Sequence, residues 1–151
     1  MDGGDSRHRD RVDRDERARR IDAQRSLSGE KSGLLVRDDG RCLAQSNAIL
    51  LHLAEGSPLV PTDPFLRAKM YEWLFWEQYS HEPYVAVARF QMHYLGKAQS
   101  ELEPKIVERG KAALALLDRQ LADADWLVGD GLTLADIALV AYSRVAHEGG
   151  F

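Results

Sequence analysis

LAQSNAILLHL, residues 43–53, sets a glutamine and a serine where a strand pattern gives way to a helical one. Leu43 and Ala44 close an apolar run. Beyond Ser46, Ala48, Ile49, Leu51, Leu53 and Ala54 supply one apolar helix face, and Gly56 stops it. Ser46 reads as the N-cap, its hydroxyl placed to accept a backbone N–H from the first turn. The first N–H groups of a helix have no intrahelical partners, and the helix dipole adds about half a positive charge there. Gln45 and Ser46, with Asn47 beside them, therefore predict a site for a small carboxylate. A serine in such a place is most often a cap and nothing more.

Upstream, LLVRDDGRCLAQ (34–45) joins two short apolar runs through Asp-Asp-Gly, which predicts a β-hairpin turning at Asp39 and Gly40. Cys42 falls in the second strand and reads as a packed thiol rather than a nucleophile. Downstream, SPLVPTDP (57–64) holds three prolines and no helical period, as a linker would. A long helix is expected from about Pro64. Its Leu66, Met70, Trp73, Leu74 and Glu77 recur at three- and four-residue spacings, with Trp76 and Tyr79 alongside, and Pro83 must kink or break it. Gly96 separates it from a second amphipathic run, about 100–123, striped with Leu102, Ile106, Ala113, Leu114, Leu117 and Leu121. A third helix opens at LTLADI: Thr133 is expected to cap the Asp136 N–H, the Asp136 carboxylate to reach back to Thr133, and Leu132 to pack on Ile137. Ala138, Ala141, Tyr142 and Val145 are its expected buried positions.

Composition narrows the function. At 151 residues and 44% hydrophobic content the chain suits one soluble core, and a net charge of −4 argues against nucleic acid as a partner. The one cysteine precludes an internal disulfide, and no run is long and apolar enough for a membrane span or an export signal; a cytoplasmic location is expected. No metal is expected either. His81-Glu82 lacks a second histidine at zinc-helix spacing, position 85 being Val85, and His52, His93 and His147 are scattered. Residues 1–33 alternate arginine with aspartate and glutamate around few apolar side chains, which reads as a disordered segment or a solvated helix around residues 11–25.

Gln45-Ser46, the segment 56–90 (GSPLVPTDPFLRAKMYEWLFWEQYSHEPYVAVARF) and VGDGLTLADIALVAY (128–142) together resemble glutathione transferases over roughly residues 34–151. The resemblance implies a mainly α fold with a small β-hairpin. In it residues 34–56 are the closing half of a thioredoxin-like glutathione-binding domain, 57–64 the connector, and 65–151 an all-helical C-terminal domain truncated at its end. It assigns Gln45 and Ser46 to the γ-glutamyl end of glutathione. It places Tyr79, His81, Tyr84 and Arg89 in the segment that borders the electrophile pocket and the subunit contact, whereas the helical spacing of Trp73, Trp76, Tyr79 and Tyr84 equally suits core or interface aromatics; Thr133 with Asp136 is expected to form a structural cap. Glutathione would be the co-substrate, conjugated to a small electrophile in detoxification, and a homodimer is the usual assembly.

The family's opening strand-helix-strand unit brings a thiol-activating Tyr, Ser or Cys and a cis-proline. Residues 1–33 resemble no part of it: Ser6, Ser26, Ser28 and Ser32 sit in no strand-to-helix pattern, and no proline precedes Pro58. No catalytic residue is carried over. Three readings stay open: a transferase-family protein defined by its ancestral reaction, a non-catalytic binding or dimerisation module, and a reading-frame shift joined to family sequence near Gly33. A sheet reduced to one hairpin exposes a strand edge, so a marginal or self-associating chain is expected.

Overall fold

The computed structural model describes residues 33–151 and five isolated helical positions upstream, Asp13, Glu16, Ala18, Arg19 and Ile21. Apart from those positions, the expectations for residues 1–33 lie outside the described residues. The chain divides into two units, Met1–Leu53 and Ala54–Phe151.

In the first unit, β1 (Leu34–Val36) and β2 (Cys42–Ala44) pair antiparallel, Leu35 opposite Leu43. Their turn closes with the Gly40 N–H donating to the Arg37 carbonyl (2.9 Å) while Gly40 takes φ 79°. Only glycine enters that left-handed region without a Cβ penalty, which is why the Asp-Gly pair marks the turn. Asp39 accepts from the Arg41 backbone N–H (3.0 Å) and from its Nε (2.9 Å), and these bonds hold its carboxyl down at about 2. Cys42 is half-buried, its Sγ 3.6 Å from the Gly40 carbonyl. Helix α1 (Ser46–Leu53) packs on β2.

The second unit is helical. Asp63 caps α2 (Pro64–Trp76) by accepting from the Leu66 N–H at 2.8 Å, and Pro64 fits the first turn, where its missing N–H costs nothing. The proline-rich stretch before it is stitched down. Arg67 donates to the Pro61 carbonyl (2.8 Å), and the Leu134 N–H donates to the Leu59 carbonyl (3.1 Å). Pro83 neither breaks the helix nor simply bends it. Its missing donor is absorbed by a π-helical turn, Glu77–His81, in which the Glu82 N–H reaches back five residues to the Glu77 carbonyl, and α3 (Glu82–Arg89) continues beyond. A second π turn spans Phe90–Tyr94, and Gly96 then takes φ 68°.

Helix α4 (Pro104–Gln120) is shorter than the 100–123 run. Leu102 is buried in the turn before it, whereas Leu121, expected on the stripe, lies past its end and is exposed. The core gathers Met70, Trp73 and Leu74 of α2, Val85 and Ala88 of α3, Ala113 and Leu117 of α4, and Leu134, Ala135, Ala138 and Leu139 of α5 (Leu134–Ser143). On α5 the buried face is thus set by positions i, i+1, i+4 and i+5; Ala141, expected inside, falls on the opposite side and is exposed. The Ala146–Gly149 turn closes on α3, where a Cβ on Gly149 would meet the Arg89 backbone nitrogen at 2.9 Å.

Candidate functional site

Gln45 is the one non-glycine residue with positive φ (74°) among the described residues. It, rather than Ser46, is the residue outside the helix. The Ile49 N–H donates to the Gln45 carbonyl at 3.0 Å, so Gln45 occupies the N-cap and Ser46 the first helical position. The expected N-cap at Ser46 is corrected by one residue, because the left-handed kink at Gln45 turns the chain straight from β2 into α1. A left-handed side-chain-bearing residue costs on the order of 1–2 kcal/mol, and such strain concentrates at ligand sites. The N–H groups of Ser46, Asn47 and Ala48 precede the first intrahelical bond, and Gln45 and Ser46 are exposed. That geometry can take a carboxylate from the end of the helix.

The four candidates on the α2–α3 helix are not brought together. Tyr79 is 82% exposed. Tyr84 is half-buried beneath the Arg109 guanidinium, which lies 6.0 Å from its ring centre on the α4 side. Arg89 pairs with Glu148 of the C-terminal turn and sits 5.2 Å over the Tyr94 ring. His81 is fully buried, and its Nε2 lies 3.0 Å from the Ser143 Oγ of α5. Tyr79 therefore faces solvent, the other three face three different neighbours, and His81 lines no surface. The π turn is the cause: one extra residue per turn rotates everything after Glu77 relative to α2.

Around His81 lies a polar cluster that the spacing did not single out. Glu77 is buried and accepts from Gln78 at 2.6 Å. Burial pushes the Glu82 carboxyl up, helped by the Glu77 charge, and Tyr142 is raised by burial and by the same two acids. Burial pushes His81 down to about 4, so its imidazole is neutral, and among the described residues its Nδ1 has no hydrogen-bond partner. The only hint in the sequence was Glu77, a carboxylate written into an apolar stripe.

At the start of α5, Thr133 Oγ1 accepts from the Ala135 N–H (3.2 Å) and donates to Asp136 Oδ2 (3.0 Å). Asp136 also accepts from the Thr133 N–H (2.9 Å) and the Leu127 N–H (2.9 Å), which pins the preceding loop. Among the described residues no three His, Cys, Asp or Glu side chains gather as a metal site, and no helix is long and apolar enough to cross a membrane.

Comparison with known proteins supplies the context. Residues 70–148 match the family described as the glutathione S-transferase C-terminal domain. A glutathione S-transferase structure from Xanthobacter autotrophicus Py2 superimposes with a TM-score of 0.75 at 48% identity, covering 78% of this chain and 58% of that one. An uncharacterised GST-like protein of Streptococcus mutans is 35% identical over 69% of this chain and 40% of its own length. A Pseudomonas putida glutathione transferase solved with glutathione disulfide bound aligns at TM-score 0.58 and 30% identity, over 72% of this chain and 49% of that one. The chain thus spans about half the length of these relatives.

Proposed function

Since the chain belongs to the glutathione S-transferase family through its C-terminal domain, we propose that it binds glutathione, with the γ-glutamyl carboxylate held at Gln45 and Ser46. The observation that carries this reading is the left-handed backbone of Gln45, a strained residue held at a helix start in a family whose solved members include one with glutathione disulfide bound. The reaction of the lineage is addition of the glutathione thiolate to a small electrophile in the cytoplasm. For this chain the claim is binding, since no thiol-activating residue has been assigned.

A calorimetric titration of the full chain with reduced glutathione tests it. Saturable binding is expected, and Ser46→Ala is expected to weaken it about tenfold, the usual value of a hydrogen bond to a charged group. A demonstrably folded sample that gives no heat would overturn the proposal.

A second reading rests on a different observation. Phe65, Phe75 and Tyr79 are 71%, 75% and 82% exposed along α2 and its π turn, an apolar stripe of the kind that marks a protein contact. As a dimerisation module the chain would elute as a dimer, and Phe75→Asp would make it monomeric. A monomeric parent chain at the same concentration would sink this reading.

A further inference from the structure

We propose that residues 146–151 form a strap laid across α3 and α4 that opens as a unit while both helices stay folded, with Glu148 as its latch. The strap is fastened at a few side-chain points. Glu148 pairs with Arg89 at the end of α3, and His93 Nδ1, four residues further on, lies 3.7 Å from the same carboxylate. Gln99 Nε2 donates to the Gly150 carbonyl at 2.8 Å. The Phe151 ring lies against Gly110 of α4, where a Cβ would meet ring carbons at 2.3 and 2.6 Å.

Two buried glycines make the seat. A Cβ on Gly149 would lie 2.9 Å from the Arg89 nitrogen and 3.3 Å from the Arg89 Cα, backbone atoms that cannot turn aside as a side chain would. Gly110 stands inside α4, where alanine would favour the helix, and the ring on it gives a reason for the glycine. Gly150, at φ 80°, carries the chain out of the 146–149 turn to Phe151.

That the strap opens apart from the helices follows from where its backbone hydrogen bonds go. The Glu148 N–H donates to the Val145 carbonyl (3.1 Å), that of Gly150 to His147 (3.1 Å) and that of Phe151 to Ala146 (3.3 Å). Among the described residues, these bonds close locally and do not run to α3 or α4. The two helices meanwhile pack directly on each other. Lifting the strap therefore breaks side-chain contacts but no helix ladder, which is the condition for a local opening short of global unfolding. It uncovers Gly110 and Gly149, both buried while the strap is down. The device lies wholly within the second unit and does not depend on the glutathione reading.

Native-state amide hydrogen exchange of the full chain, read by NMR at increasing urea below the unfolding transition, tests this. The Gly150 and Phe151 amides are expected to exchange through one shared opening, at least about tenfold faster than amides in the middle of α4. Their rate should hardly depend on urea, because a local opening exposes little surface. Glu148→Gln, which removes the charge of the latch, should speed them about tenfold and leave the α4 amides unchanged. Gly149→Ala should abolish their protection, since the Arg89 backbone cannot give way; if that variant fails to fold, Glu148→Gln carries the comparison. Gly110→Ala should release the strap while the α4 amides exchange no faster, because alanine favours the helix. Strap amides that share the rate and urea slope of the α4 amides, or variants that speed both sets equally, would overturn the proposal.

Discussion

Asp136→Ala is expected to lower the unfolding free energy by about 3 kcal/mol, measured as the shift in denaturant midpoint at constant slope. One carboxylate closes three hydrogen bonds: from the Thr133 N–H, from the Thr133 hydroxyl and from the Leu127 N–H. Thr133 and Leu127 are themselves buried and Asp136 is half-buried, so water replaces the lost acceptor only in part. A buried donor left unpaired costs roughly 1–3 kcal/mol, and here two backbone donors lose their partner together. Asp136→Asn retains an acceptor but turns an N–H₂ toward a donor, and is expected to fall between the parent and the alanine variant. Thr133→Ala removes only the bond from the Ala135 N–H and the hydroxyl contact, and about 1 kcal/mol is expected. A loss below about 1 kcal/mol in Asp136→Ala would mean that the loop at Leu127 is held by something other than this carboxylate.

Acid is expected to destabilise the helical unit through His81. The imidazole titrates at about 4 in the folded chain against 6.5 when free, because burial disfavours its charged form. A depressed folded value means that the unfolded chain takes the proton first. Stability is therefore lost as pH falls from about 6.5, and the full loss of about 3 kcal/mol is reached only below about 4. At pH 4.5 most of it is already gone. The geometry agrees with that direction. A protonated ring carries an N–H on both nitrogens, and among the described residues nothing accepts from Nδ1. Glu82 works the other way, since its raised carboxyl gains a proton readily as pH falls and so relieves the Glu77 charge. Comparing the parent with His81→Phe isolates the histidine. The parent should lose stability between pH 7 and 4.5, measured by urea unfolding, and His81→Phe should lose about 2 kcal/mol less over the same interval. Identical pH slopes for the two proteins would remove His81 as the cause.

How far the sequence could be read depended on what backbone property each motif encodes. Asp39-Gly40 and the Thr133–Asp136 box were legible because a left-handed glycine and a capping side chain are local chemistry, decided within a few residues. The hydrophobic spacing of α2 and α4 placed both helices for a similar reason, although their ends shifted where Leu102 and Leu121 follow the turns rather than the stripe.

The left-handed kink at Gln45 could not be read, because glutamine has no preference for positive φ; only the structure decides whether Gln45 or Ser46 lies outside the helix. The directions of Tyr79, His81, Tyr84 and Arg89 were equally hidden. A three-to-four spacing assumes 3.6 residues per turn, and the π turn beside Pro83 breaks that assumption at Glu77.

The kinked turn at Gln45 and Ser46 is proposed to hold the γ-glutamyl end of glutathione. Its most direct test follows the backbone amide resonances of residues 45–48 while the chain is titrated with three ligands: glutathione, γ-glutamylcysteine and cysteinylglycine. The first two are expected to shift the Ser46 and Asn47 amides along the same line, and cysteinylglycine, which lacks the γ-glutamyl group, to leave them in place. Amides that stay still with glutathione, or move equally with cysteinylglycine, would contradict it.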